Sequence, residues 1–170
     1  ICSGLVGSEM CIRDSPILAQ LSEDRLSASF ITDGYHLSRE KLQLYLRAKG
    51  PDRTILVTDA TSAAAAAPGV YGLGPMTLER QQEPVALSPD TGRPAGSAVT
   101  LDQCLQNVIN WFDLSLDDAI SWASDNPRKI LGNSSSENEF SNQWINWKKM
   151  EGMWKVMEVQ TGKFKIQNYS

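Results

Sequence analysis

The 170-residue chain has one histidine, His36, and three cysteines, of which Cys2 and Cys11 fall in its first fifteen residues. A lone histidine with scattered acids cannot hold a catalytic metal without further ligands. A lone remaining cysteine, Cys104, excludes a disulfide framework or a zinc knuckle, so a reducing cytoplasm is the expected setting. No stretch approaches the roughly 20 apolar residues that a membrane-crossing helix needs. There is also no Lys/Arg block. With 16 basic against 20 acidic residues and a net charge of -4, neither nucleic acid nor an anionic membrane is an expected partner. Small molecules or protein are. The remaining composition, 41% hydrophobic and 21% charged, is that of an ordinary globular protein with one domain core.

The first fifteen residues read as foreign. Leu5-Val6-Gly7-Ser8-Glu9-Met10-Cys11-Ile12-Arg13-Asp14 back-translates without a break to a sequence resembling a transposase-type sequencing adapter. Residues 1 to 15 are therefore expected to be non-native and to contribute no core, and the genuine chain to begin near Pro16. A secretory signal is the rival reading, but Glu9, Arg13 and Asp14 interrupt its apolar stretch and no basic region precedes it.

Beyond Pro16, Leu26 to Thr32 is a short, mostly apolar run ending at Asp33-Gly34, which predicts a buried strand followed by a loop. Ser38 then caps a helix with Leu42, Tyr45, Leu46 and Lys49 along one side and Gly50-Pro51 as its stop. Thr54 to Thr58 is β-branched and apolar, a second buried strand. Strand, helix, strand of this kind predicts a parallel α/β unit.

Residues 62 to 99 form a long excursion rich in Ala, Gly and Pro. It has room for a helical turn at its five alanines and for short strands at Val70 to Leu73 and Val85 to Leu87. A firmer helix follows, with Thr100 and Gln103 at capping-box spacing and Leu101, Leu105, Val108, Ile109 and Phe112 as its apolar stripe. Another starts at Ser115, carries Leu116, Ala119, Ile120 and Ala123, and restarts at Asn126-Pro127 before ending at Gly132. Asn133 to Glu139 is polar and linker-like. Trp144 to Lys148, Trp154 to Val159 and Lys163 to Gln167 then alternate around Glu151-Gly152 and Thr161-Gly162, predicting three antiparallel strands. Their tryptophans suit a core more than a stacking surface for sugars or bases.

Two positions carry candidate chemistry. Asp59 closes the second strand, where an acid can serve catalysis or simply cap a helix or decorate a loop. His36 follows the first strand, where it can bind a ligand or sit as a satisfied structural residue.

The ordered segments Ile31-Thr32-Asp33-Gly34-Tyr35-His36, Arg47-Ala48-Lys49-Gly50, Leu56-Val57-Thr58-Asp59-Ala60-Thr61 and Pro94-Ala95-Gly96-Ser97-Ala98-Val99-Thr100-Leu101 resemble those of N-acetylglucosamine-6-phosphate deacetylases of the amidohydrolase superfamily. Gly69 to Gly74 and Asn126 to Gly132 fit as well, so the resemblance covers about residues 26 to 132. It implies an α/β fold: the carboxyl-terminal part of a (β/α)8 TIM-like hydrolase barrel over residues 16–132, then a linker and strands of a small β-sandwich over 133–170. The last two barrel strands would be Leu26 to Thr32 and Thr54 to Thr58, and barrel sites lie at the carboxyl ends of strands.

The resemblance further implies metal-assisted hydrolysis of an acetamide in an amino-sugar phosphate, with Asp59 as the catalytic acid/base. Asp33, Gly34, Tyr35 and His36 would form one substrate-binding loop, and Pro94, Ala95 and Gly96 another, where glycine permits close backbone approach. It implies a divalent metal of the zinc or iron type and a homodimer for the full-length parent. The metal ligands, a glutamate and two histidines, and an arginine used for phosphate would all precede Pro16, so this chain would carry none of them and be inactive alone. The family's Gly-Lys-x-Ala-Asp-Leu segment is missing after Gly132. Other readings are a different amidohydrolase, a deaminase or cyclic-amide hydrolase sharing the strand-ending Asp59, or a non-catalytic binding module built on the tryptophan-bearing strands.

Overall fold

The computed structural model describes residues 16–132, 143–161 and 164–167. The expectations for residues 1 to 15 and for the linker after Gly132 lie outside the described residues. In chain order the elements are α1 (Pro16–Ser22), β1 (Ala28–Ile31), α2 (Arg39–Lys49), a 3-10 turn (Pro51–Arg53) and β2 (Thr54–Val57). An insertion follows, formed by β3 (Gly69–Leu73), β4 (Met76–Arg80), β5 (Val85–Leu87) and β6 (Pro94–Ser97). Then come α3 (Leu101–Phe112), α4 (Leu116–Ile120), a π turn (Ser121–Asp125), α5 (Asn126–Ile130) and the strands β7 (Gln143–Met150), β8 (Met153–Thr161) and β9 (Phe164–Gln167).

β1 and β2 pair in parallel, Ala28 opposite Thr54 and Ile31 opposite Val57, with α2 as the connection that a parallel pair requires. Helix α2 starts where Ser38 accepts a hydrogen bond from the Lys41 N–H, and it stops where Gly50, at φ 72°, returns its N–H to the Leu46 carbonyl. Both ends are thus set by local chemistry. Its inner face buries Leu42 and Leu46, each contributing about 2 kcal/mol by removal from water. Lys49 lies on that same face and is buried, its Nζ donating to the carbonyls of Glu23 and Leu26 at 2.9 Å each. The charge is thereby spent on fastening the segment between α1 and β1.

Helix α3 has its capping box, with the Thr100 N–H held by Gln103 Oε1 at 3.0 Å. It packs Leu105, Val108 and Ile109 against Leu42, Leu56 and Trp122 in the main core. Downstream, the helix begun at Ser115 does not break at Asn126-Pro127. It widens into the π turn, the Asn126 N–H reaching the Ser121 carbonyl, which keeps a helical path around a proline that has no N–H to give.

The insertion differs from its sequence expectation. It is a four-stranded antiparallel sheet in order β3-β4-β5-β6, in which β4 and β6 are strands beyond the two expected. Pro94 opens β6, the strand position a residue without N–H tolerates. The five alanines form turns, the Ala64 N–H reaching the Thr61 carbonyl and the Ala66 N–H the Ala63 carbonyl, while Ala65 adopts φ 56°. Leu78, Ala63 and Ala86 make a small separate core beneath the sheet.

β7, β8 and β9 form one antiparallel sheet. Glu151 and Gly152 both take positive φ, the two-residue hairpin geometry that matches strand twist. Trp147 and Trp154 pack against the main core, as their alternation predicted, whereas Trp144 is largely exposed.

Candidate functional site

The parallel register fixes the site. Asp33 and Asp59 each stand two residues beyond the paired Ile31 and Val57, so two Thr-Asp pairs, Thr32-Asp33 and Thr58-Asp59, emerge side by side at the carboxyl ends of β1 and β2. Helix α3 pins both ends. Asn107 Nδ2 donates to the Thr32 carbonyl at 2.7 Å, and Thr32 Oγ1 donates to the Cys104 carbonyl at 3.0 Å. Cys104 Sγ lies 3.8 Å from the Val57 carbonyl. Burial pushes the Cys104 thiol up, keeping it a protonated donor toward that oxygen.

Past β1, the buried Asp33 organises the loop. Its Oδ1 accepts the N–H groups of Tyr35 at 2.9 Å and His36 at 3.0 Å, and its Oδ2 lies 2.7 Å from His36 Nδ1. Burial pushes the Asp33 carboxyl up, but the His36 ring and these two N–H groups outweigh it and hold the group below the ordinary carboxylate range. For His36 the hydrogen bond to Asp33 raises the imidazole against burial, and the charges of Asp33 and Asp59 add to it. Gly34 has φ 76° and fits against the Trp111 ring, whose Cη2 would stand 3.1 Å from an added Cβ. Tyr35 is exposed and edge-on to His36. Arg39 stacks over the other part of this wall, 4.7 Å from the Trp111 ring centre.

Past β2, Asp59 is exposed and takes φ 50°, an uncommon conformation for a residue with a side chain. The insertion holds it there. The Asp59 carbonyl accepts the Ser97 N–H at 2.8 Å, and the Thr61 N–H returns to the Ser97 carbonyl at 3.0 Å. Ser97 Oγ donates to the Thr58 carbonyl. Gly96 meets this turn with no room for a side chain: an added Cβ would lie 2.5 Å from Thr61 Cγ2, 3.0 Å from the Asp59 carbonyl and 3.8 Å from Asp59 Oδ2.

The residues singled out in the sequence thus separate by position. Asp33, Gly34, Tyr35, His36, Asp59 and Gly96 gather at the strand ends. Ala95 instead packs toward the small core of the insertion, and Pro94 is exposed at the start of β6, opposite Leu87. Ser97, Asn107 and Cys104 were not singled out as site residues. Their contributions run through contacts distant in sequence, and only the polarity of Asn107 on the α3 face hinted at one. Among the described residues no group of three or more His, Cys, Asp or Glu side chains could hold a metal ion, so the donors described do not make up a metal centre. A separate, largely apolar cleft of about 550 Å³ lies between α3, α4 and the β7–β8 hairpin, lined by Leu105, Ile120, Trp144 and Trp147 among others. Among the described residues no helix is long and apolar enough to cross a membrane.

A mixed α/β frame with a polar site at the carboxyl ends of adjacent parallel strands is the arrangement on which α/β proteins build ligand and catalytic sites. More particularly, the chain is similar to several proteins named N-acetylglucosamine-6-phosphate deacetylase. It is 31% identical over 108 residues, 64% of its length, to the N-acetylglucosamine-6-phosphate deacetylase of Lysinibacillus sphaericus, and covers 27% of that protein. The solved deacetylase of Thermotoga maritima superposes with a TM-score of 0.62 at 32% identity, over 67% of this chain and 31% of that one. A mutant of the Mycobacterium smegmatis deacetylase, solved in complex with N-acetyl-D-glucosamine-6-phosphate, superposes with a TM-score of 0.70 at 27% identity, over 85% of this chain and 38% of that one. The chain therefore spans about three-tenths of the length of these N-acetylglucosamine-6-phosphate deacetylases, and 66% of a putative N-acetylgalactosamine-6-phosphate deacetylase of Escherichia coli, to which it is 29% identical. No family model matches it.

Proposed function

We propose that this chain is the carboxyl-terminal portion of an enzyme that deacetylates N-acetylglucosamine 6-phosphate, giving glucosamine 6-phosphate and acetate in the cytoplasm. β1 and β2 would be the last two strands of a (β/α)8 barrel of which residues 16–132 form the carboxyl-terminal part, and the strands after residue 133 part of a small β-sandwich. The observation that supports the reading is the convergence of Asp59, Gly96 and the Asp33–His36 loop on one strand-end site, in the order that the resemblance implies.

In this reading Asp59 takes the proton of the water that attacks the acetyl carbonyl and delivers it to the departing amine, a transfer suited to an exposed carboxylate held in a fixed turn. His36 offers its ring to the substrate, at the phosphate or at a sugar hydroxyl. Gly96, lacking a Cβ, lets the backbone close on the ligand beside Asp59. A divalent metal of the zinc or iron type would supply Lewis-acid chemistry in the parent, held by ligands other than those described here. The parent would act as a homodimer.

The test is a chimera that joins residues 16–170 to the amino-terminal portion of the Lysinibacillus relative. Acetate release from N-acetylglucosamine 6-phosphate is expected. A folded, metal-loaded chimera that releases no acetate would overturn the reading, and ammonia release from aminated heterocycles would point to a deaminase instead.

A further inference from the structure

We propose that Asp33 is a positioning residue for His36: its carboxylate accepts a hydrogen bond from the Nδ1–H and holds the ring so that Nε2 is the nitrogen offered to a ligand. The proposal deepens the reading of His36 as a ligand contact and rests on it for its purpose, though not for its geometry.

Asp33 cannot itself be the contact. Its side chain is fully buried while the His36 side chain keeps 22% of its surface exposed. Three donors of its own loop, the Tyr35 N–H, the His36 N–H and His36 Nδ1, already occupy its oxygens. An ionised carboxylate only accepts hydrogen bonds, so the nitrogen facing it must carry the proton. That fixes the neutral ring as the Nδ1–H form and leaves Nε2 without a hydrogen bond among the described residues. Nε2 then accepts when the ring is neutral and donates when it is charged. The ring also cannot swing freely, because the same carboxylate that holds Nδ1 through Oδ2 holds the His36 backbone through Oδ1. Thr32, tied to Cys104 and Asn107, fixes the root of the loop, and Trp111 closes it at Gly34. Hydrogen-bonded carboxylates commonly set histidine orientation in this way.

Because His36 is the single histidine of the chain, ring nitrogen NMR on a histidine-labelled sample reads this one side chain. Two-bond proton–nitrogen correlation above the ring's titration is expected to show the Nδ1–H form. Finding the Nε2–H form in the folded chain would overturn the proposal without any variant. In Asp33→Asn the two backbone donors keep the amide oxygen where Oδ1 was, so the amide nitrogen faces Nδ1 and can only donate. The ring is then expected to switch to the Nε2–H form and to titrate at lower pH, Asp59 being the other charge acting on it. Core methyl signals of Leu42 and Val108 report whether the variant is folded. A folded Asp33→Asn with the Nδ1–H form and an unchanged titration would also overturn the proposal. Adding N-acetylglucosamine 6-phosphate to the active chimera should move the His36 Nε2 signal, identified among the chimera's histidines by its loss in His36→Ala. Failure of that shift alone, with the wild-type form as expected, would count against the substrate reading and leave the positioning role standing.

Discussion

Ser97 donates its backbone N–H to the Asp59 carbonyl at 2.8 Å, so the last strand of the insertion holds the turn that carries the strand-end acid. The insertion between β2 and α3 therefore takes part in the site. The contact also explains how Asp59 persists at φ 50°, since a conformation costing on the order of 1–3 kcal/mol lasts only where its surroundings impose it.

Gly96→Ala should disturb this junction. The new methyl would stand 2.5 Å from Thr61 Cγ2 and 3.0 Å from the Asp59 carbonyl, on a backbone at φ 131° that disfavours any side chain. A destabilisation of about 1–3 kcal/mol is expected, measured by urea unfolding. In the chimera, activity should fall further than stability alone accounts for, because Asp59 is displaced; an unchanged midpoint would show that the junction is looser than described.

The Asp33–His36 pair predicts a window of pH in which it stabilises most. His36 is raised in the folded chain, so its contribution is complete below its unfolded value of about 6.5 and is lost as pH rises through the folded pKa. Asp33 is lowered, so its contribution is complete above about 3.9 and is lost as pH falls through the folded pKa. Urea midpoints should therefore peak between these two values, and Asp33→Asn should flatten both limbs. A wild-type profile without that peak would contradict the pairing.

In the chimera, Asp59→Asn and His36→Ala should separate kinetically. Asp59→Asn keeps the size of the side chain but cannot accept a proton, so kcat should fall on the order of 10² to 10⁴ with substrate binding largely spared. His36→Ala removes a ligand contact and leaves Asp59 in place, so KM should rise more than kcat falls. Steady-state kinetics at fixed metal occupancy reads both, and full activity in Asp59→Asn would remove the strand-end acid from the chemistry.

The chain by itself should release no acetate from N-acetylglucosamine 6-phosphate, whichever of zinc, iron or manganese is supplied. A catalytic metal needs at least three protein ligands, and the described residues offer no such cluster. Turnover well above the buffer rate would show that the chain holds its metal by ligands not recognised here.

Much of the frame was decided locally and is legible in the sequence. Ser38, Gly50, Thr100 and Gln103 set helix ends through bonds to near neighbours, and the spacing of Leu105, Val108 and Ile109 marks the buried stripe of α3. The three final strands follow from alternation and from the Glu151-Gly152 turn. Asp33 and Asp59 could likewise be placed at strand ends, because a short apolar run closed by a polar residue and a loop is a one-dimensional signal. Tertiary structure decided what these residues do to one another. The strand state of β6 rests on its partner across the sheet, since Pro94-Ala95-Gly96-Ser97 has no apolar alternation of its own. Lys49 lies on the apolar face of α2 because two carbonyls from another segment wait there, and Ala95 turns from the proposed substrate loop toward a core that exists only once β3 to β6 assemble. Gly96 reaches Asp59, and Asn107 reaches Thr32, through the return of the chain after long excursions. Hydrogen bonds of that kind depend on register and close approach, which periodicity along the chain does not encode.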